Sequence, residues 1–202
     1  MSANLPEPLK VLVEQLAKLP GLGSKSALRL AMTLLKWPEA ETRRLGGSIS
    51  SLRDNLCLCS RCGGLSALDP CPICADPGRS RETLCVVSEW DSMLAMEAGG
   101  FFQGQYMILG GVLEPLQQKD SQSLETERLL RRLGEGEISE VVLALGATLE
   151  AENTVSFLKE LIKRHYPDIK ISRLAQGLPL GAEVKFMDHE TLRQSMKYRQ
   201  NI

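Results

Sequence analysis

The sequence predicts an α/β protein: a mostly parallel sheet covered by helices on both faces, preceded by a helical hairpin and a cysteine-rich loop. Three observations carry that prediction. Apolar runs alternate with helical periods from residue 83 onward, the first 37 residues read as two helices around a glycine turn, and five of the six cysteines crowd into residues 57–74. At 202 residues the chain is long enough to bury a core, with one or two modules expected.

The segment MSANLPEPLK lacks the basic start and apolar run of a secretory signal, and no apolar stretch approaches the roughly 18 residues of a membrane span. The expectation is a soluble intracellular protein. Through residue 62 there are nine Lys/Arg against five Asp/Glu, a local charge of +4 that leaves −5 for the rest of a chain totalling −1. A basic front on an acidic body suits a polyanion partner, although an asymmetry of that size also arises by chance.

Residues 5–19, LPEPLKVLVEQLAKL, place Leu9, Leu12, Val13, Leu16 and Leu19 at helical spacing, and Pro20 stops that helix. PGLGSKSA is a tight turn, with Gly21 and Gly23 to bend it and Ser24 as the N-cap of a second helix, KSALRLAMTLLKW, that ends before Pro38. A helix start of this kind offers unpaired N–H groups and the positive end of a dipole, suited to a phosphate oxygen. Lys25 and Arg29 lie one turn apart and flank the same position. The alternative is an ordinary helical hairpin whose Gly-x-Gly only turns the corner. No base-reading side chains are evident, so a nucleic-acid contact here goes to the backbone and ignores sequence.

The stretch CLCSRCGGLSALDPCPIC contains two C-x-x-C pairs, Cys59–Cys62 and Cys71–Cys74. That spacing lets two thiolates from one tight turn meet a single Zn²⁺, and two such turns complete a tetrahedron. In a reducing compartment clustered cysteines bind metal more often than they pair. A redox C-x-x-C opens the helix of a βαβ unit, whereas these pairs sit in a Gly/Pro-rich loop. All four ligands come from the chain, so the expected zinc is structural, one per chain. Cys57 falls outside the pattern as a spare thiol, and Cys85, in the apolar run LCVV, reads as a small buried hydrophobe.

Beyond the loop, TLCVVSEWDS reads as a strand and turn, MLAMEAGG as a helix and QYMILGG as a strand. SLETERLLRRLGEG is a helix, EVVLALG a strand, EAENTVSFLKELIKRHYP a long amphipathic helix and IKISRLA a last strand. Ligands of such sheets gather at the carboxyl ends of the strands, where Ser88, Glu89, Asp91, Glu150 and Glu152 are expected. These acids either hold Mg²⁺ for phosphoryl transfer, or, for Glu150 and Glu152, simply favour the start of the following helix. No P-loop, GxGxxG or nucleophile–base pair is visible.

Taken in order, LPGLGSKSALRLA, the two C-x-x-C pairs, LCVV opening an α/β region and RLAQGLPLGAEVKFMDHETL resemble the bacterial RecR recombination mediator family over about residues 5–195. The resemblance implies a helix-hairpin-helix DNA-binding module in residues 1–55, a four-cysteine zinc finger in 56–80, a Toprim domain in 81–175 and, in 176–202, a Walker-B-like segment and helix that form a short C-terminal α/β extension. It implies Cys59, Cys62, Cys71 and Cys74 as zinc ligands, Gly21, Gly23, Ser24, Lys25 and Arg29 as DNA contacts, and Glu89, Glu150 and Glu152 as Toprim acids that dock partners. It further implies a ring-like tetramer in the cytoplasm, associated with the nucleoid. That tetramer acts with RecO, often also RecF, to load RecA onto gapped DNA, and it is not an enzyme. Four departures stand out: Ala151 and Ala182 replace family glycines, Ser88 stands where the family has an acid, and DSQS (Asp120 to Ser123) replaces G-P-E-D. Ser88 carries no charge for Mg²⁺, which argues against the competing reading of a Toprim nuclease; a protein-only scaffold is the third.

Overall fold

Prolines set the helix boundaries at the front of the chain. In the computed structural model, which describes residues 5–113 and 124–199, Pro6 precedes α1 (Glu7–Leu16), and Pro38 precedes α3 (Glu39–Ser50). The first helix ends three residues before its expected limit at Leu19. Pro20 disfavours helical backbone at Leu19 and has no N–H to continue the ladder, so Lys18 and Leu19 close the turn with tighter bonds to Gln15 and Leu16. Between them α2 (Ser24–Leu34) packs Ala27 and Ala31 inward, the only buried side chains among residues 5–55. The third helix is absent from the sequence reading because Gly46 and Gly47 mask it. Its acids in the first turn and the Glu39–Arg43 pair four residues apart, 2.9 Å between Nε and Oε1, support it locally.

The chain divides into two compact units at Asn55/Leu56. The second opens on a short hairpin, β1 (Cys57–Leu58) antiparallel to β2 (Leu65–Ser66), followed by the one-turn helix α4 (Pro72–Ala75). Four parallel strands follow: β3 (Thr83–Val87), β4 (Gln105–Ile108), β5 (Glu140–Ala144) and β6 (Lys170–Arg173), in the order β4-β3-β5-β6. They alternate with α5 (Trp90–Ala98), α6 (Thr126–Leu133) and α7 (Leu149–His165).

Strand side chains point alternately to opposite faces, and this alternation divides the core. Leu84 and Val86 of β3, with Met107, Val141 and Leu143, meet Leu129 and Leu133 of α6 and Leu158 and Ile162 of α7. Cys85 and Val87, with Tyr106 and Ile108, meet Met93 of α5 on the other face, where Ile73 of α4 also packs. Burial pushes the Cys85 thiol up to about 11, consistent with a small hydrophobe. Because β3 is buried on both faces, its sequence TLCVV is a continuous apolar run rather than an alternation.

The C-terminal extension carries a 3₁₀ turn (Val184–Phe186) and α8 (His189–Lys197), with no strand among its described residues. Gly and Pro at 177, 179 and 181 interrupt the stretch in which a strand would have to form. No described helix is long and apolar enough to cross a membrane.

Candidate metal centre and nucleic-acid interface

Two tight turns bring the C-x-x-C pairs together. Cys59 and Cys62 sit at the end of the β1–β2 hairpin, where Gly63 turns the chain at φ +77° and its amide donates to the Cys59 carbonyl at 2.9 Å. A side chain there would be strained, and its Cβ would lie 2.9 Å from Arg128 Nη1. Cys71 precedes α4 and Cys74 lies within it, so the second pair does open a helix, but one of a single turn rather than that of a βαβ unit. The four Sγ atoms lie within 4.8 Å of one another and all four cysteines are buried.

The donor set fits a tetrahedral divalent metal. Backbone amides of Gly64 and Cys71 donate to Cys62 Sγ and Cys59 Sγ, each at 3.3 Å, and such bonds favour sulfur as the thiolate. Crowded without a cation, the sulfurs must share protons. Hydrogen bonding with Cys74 pushes the Cys62 thiol up; Cys74, accepting from it with the Arg132 guanidinium nearby, is drawn down. A central cation removes that conflict by holding all four as thiolates. Cys57 is exposed on β1 outside the group.

The surrounding loop is fastened to the sheet. Ser60 donates through both its amide and hydroxyl to Asp69 Oδ1 at 2.8 Å, joining the two halves of the loop. Ile108 N–H, at the end of the edge strand β4, donates to the Cys62 carbonyl at 2.8 Å, and Arg128 Nη1 donates to the Cys59 carbonyl at 3.1 Å. Arg61 pairs with Glu135 at 2.7 Å. None of these arginines stood out in the sequence. The available signal was Arg128 and Arg132 at i,i+4 on a short helix, a spacing that places both on one face.

In the first unit, the turn before α2 takes its shape from Gly21, whose φ of +77° only glycine adopts without strain. Gly23, not Ser24, is the N-cap, and Ser24 is the first helical residue. This corrects the expected cap: no side chain caps α2, and the amides of Ser24, Lys25 and Ser26 have no intrahelical acceptor. Lys25 and Arg29 are exposed and form no ion pair among the described residues. The exposed helix end therefore presents free donors and two cations along one face.

At the sheet, the chain turns opposite ways from β3 and β5, and a crevice of about 760 Å³ opens at the carboxyl ends of β5 and β6. The three Toprim acids do not converge: the cysteines are the one metal-competent group of three or more among the described residues. Glu89 is exposed before α5. Glu150 lies in the first turn of α7, where its own amide and the Thr148 hydroxyl hold its carboxyl below the usual range. Glu152 is clasped by Arg173, whose Nη1 donates to both carboxylate oxygens at 2.8 Å, and by Gln176 Nε2 at 3.0 Å. Its bonds to Glu152 raise the Arg173 guanidinium above its ordinary value. Arg173, one more cation the sequence reading passed over, thus occupies the acid that a metal would need.

Two of the substituted positions, Ala151 and Ala182, are accommodated. Ala151 is buried within α7, a regular helix with no need for positive φ. Gly181 takes φ +80° and Ala182 N–H closes the turn onto the Pro179 carbonyl at 3.1 Å, so Ala182 leaves that turn intact. Asp188 caps α8, accepting from the Thr191 amide at 2.8 Å and hydroxyl at 2.7 Å, bonds that hold its carboxyl below the usual range. Asp120 to Ser123 lie outside the described residues.

Four family models match the chain in succession. They describe the RecR helix-hairpin-helix over residues 9–52, the RecR four-cysteine zinc finger domain over 56–76, the Toprim domain over 82–175 and the RecR C-terminal region over 177–200. A Recombination protein RecR of Nitratidesulfovibrio vulgaris is 65% identical, covering 98% of this chain and 99% of its own. That of Maridesulfovibrio salexigens is 52% identical with the same coverage, and that of Gloeobacter violaceus 38% identical, covering 96% and 98%.

Proposed function

This chain belongs to the RecR family of recombination proteins, non-catalytic mediators of recombinational repair, and we propose that it works as a DNA-binding clamp. In this reading several copies close into a tetrameric ring around or against gapped or single-stranded DNA. RecO, with RecF where it takes part, docks on the Toprim acids Glu89, Glu150 and Glu152, and the assembly helps load RecA. Each chain carries one structural Zn²⁺ on Cys59, Cys62, Cys71 and Cys74, and the protein works in the cytoplasm at the nucleoid. The domain limits are those of the motifs: 1–55, 56–80, 81–175 and 176–202.

One observation carries the DNA-binding part: an uncapped helix start after Gly21 and Gly23, with Ser24 at its first position and Lys25 and Arg29 beside it. Main-chain amides and two cations bind phosphate oxygens without reading bases, so the contact is sequence-independent and salt-sensitive. A single such contact is weak, and a ring supplies avidity. Support for self-association comes from the large apolar side chains that the first unit leaves exposed, Leu35 at 66% and Ile49 at 68% among them.

Native mass spectrometry with and without a gapped oligonucleotide tests this reading. The expected result is a DNA-bound oligomer with one zinc per subunit. A lone subunit that ignores DNA at low ionic strength, even with RecO, sinks it. Incubation of labelled gapped DNA with Mg²⁺ should leave the strands uncut; cleavage lost in Glu150→Ala would establish the enzyme reading instead.

A further inference from the structure

The sulfur cluster faces a buried guanidinium. Arg132 of α6 is 4% exposed; its Nη1 lies 4.0 Å from Cys74 Sγ and its Nη2 donates at 2.9 Å to Oε1 of Gln105, itself buried on β4. Arg132 forms no ion pair with a carboxylate among the described residues. Guanidinium does not deprotonate in proteins, and a buried charge is strongly unfavourable unless an opposite charge faces it. The amide oxygen of Gln105 is neutral. Among the described residues the remaining partner is sulfur.

Four thiolates around one divalent cation carry a net charge of −2, which is the missing counter-charge. One turn earlier on α6, Arg128 Nη1 donates to the Cys59 carbonyl at 3.1 Å, while the intervening Arg131 is exposed. One face of α6 thus meets both halves of the centre: the first pair through Arg128, the second through Arg132. Leu129 and Leu133, on either side of Arg132, are buried against the sheet.

We propose that Arg132 is the counter-cation of the four-cysteine centre, a positioning residue that retains the metal and couples its occupancy to the docking of α6 on the sheet. This rests on the reading that the four cysteines hold zinc. Gln105 orients the guanidinium, Arg132 supplies the charge, and the metal-bound thiolates supply its opposite. Loss of the metal removes the net −2 that faces Arg132 and leaves it Gln105 and the protonating sulfurs, so the effect of stripping zinc reaches beyond the loop to α6.

The test is the rate at which the full chain, loaded with zinc, gives it up to the chromophoric chelator 4-(2-pyridylazo)resorcinol. Arg132→Gln is expected to release zinc about tenfold faster than the wild type, the scale set by outer partners of metal ligands. Arg132→Lys, which keeps the charge, should stay near the wild-type rate, and the exposed Arg131→Gln should match it. Should Arg132→Gln not fold, Arg132→Met fills the space without charge and takes its place. Neutral variants that release at the wild-type rate overturn the proposal, as does Arg132→Lys releasing as fast as Arg132→Gln, which would reveal a packing role. A wild-type chain that holds no zinc fails the metal reading itself, a separate outcome measured before any variant.

Discussion

Residues 5–55 bury only Ala27 and Ala31, whereas β3 alone buries four consecutive side chains, Leu84 to Val87. The first unit is three helices whose contacts are near in sequence, with Leu12 and Leu30 still partly open. The second draws its core from strands and helices far apart in the chain and adds a sulfur cluster pinned to β4 and α6. The difference separates presentation from support. A helix end that offers its amides needs an open surface, and little apolar area is buried to hold it. The sheet unit keeps its sulfur cluster close to a deep core, and a metal held by the four sulfurs would replace the core that so small a loop lacks.

The contrast is sharpest where metal is removed. Cys71→Ser should lose zinc, and with it binding energy on the order of 10 kcal/mol. Hydrogen exchange should show β1, β2 and α4 losing protection while α1 and α2 keep theirs; full metal content with unchanged melting would contradict the ligand assignment. Leu158→Ala in α7 should cost about 3 kcal/mol in urea unfolding, against less than about 1 kcal/mol for Leu12→Ala in α1. An equal cost at Leu12 would mean that subunit association buries it and would erase the contrast.

Gly21→Ala tests the turn by itself. No atom lies within 4 Å of the added Cβ, so only the φ of +77° is penalised, and the first unit should lose about 1–2 kcal/mol by thermal melting. Lys25→Ala with Arg29→Ala should leave stability within about 0.5 kcal/mol yet lower the slope of log affinity against log salt by about 2, uniformly across sequences. An unchanged slope would remove both side chains from the phosphate contact.

Much of this was legible in one dimension because local rules set it. The strands at 83–87 and 140–144, the long amphipathic α7 and the cysteine pairs follow from periodicity and spacing. Where local signals compete, reading fails: the glycines in α3 hid a helix, and Pro20 shortened α1 below its apolar period. Ser24 looked like a cap because serine favours that role, yet the helix starts one residue earlier and Gly23, extended at φ −77°, took it.

The cysteine spacing, the hairpin glycines and the switch to strand–helix alternation were determined by the sequence alone, since each depends on neighbours within a few residues. Tertiary structure decided which charges meet. Arg132 reaches Cys74 across 58 positions, and Arg173 reaches Glu152 across 21, through β-sheet packing that no local pattern encodes. Guanidinium reach spans several ångströms in any direction, so its partner is chosen only once the core has placed the elements.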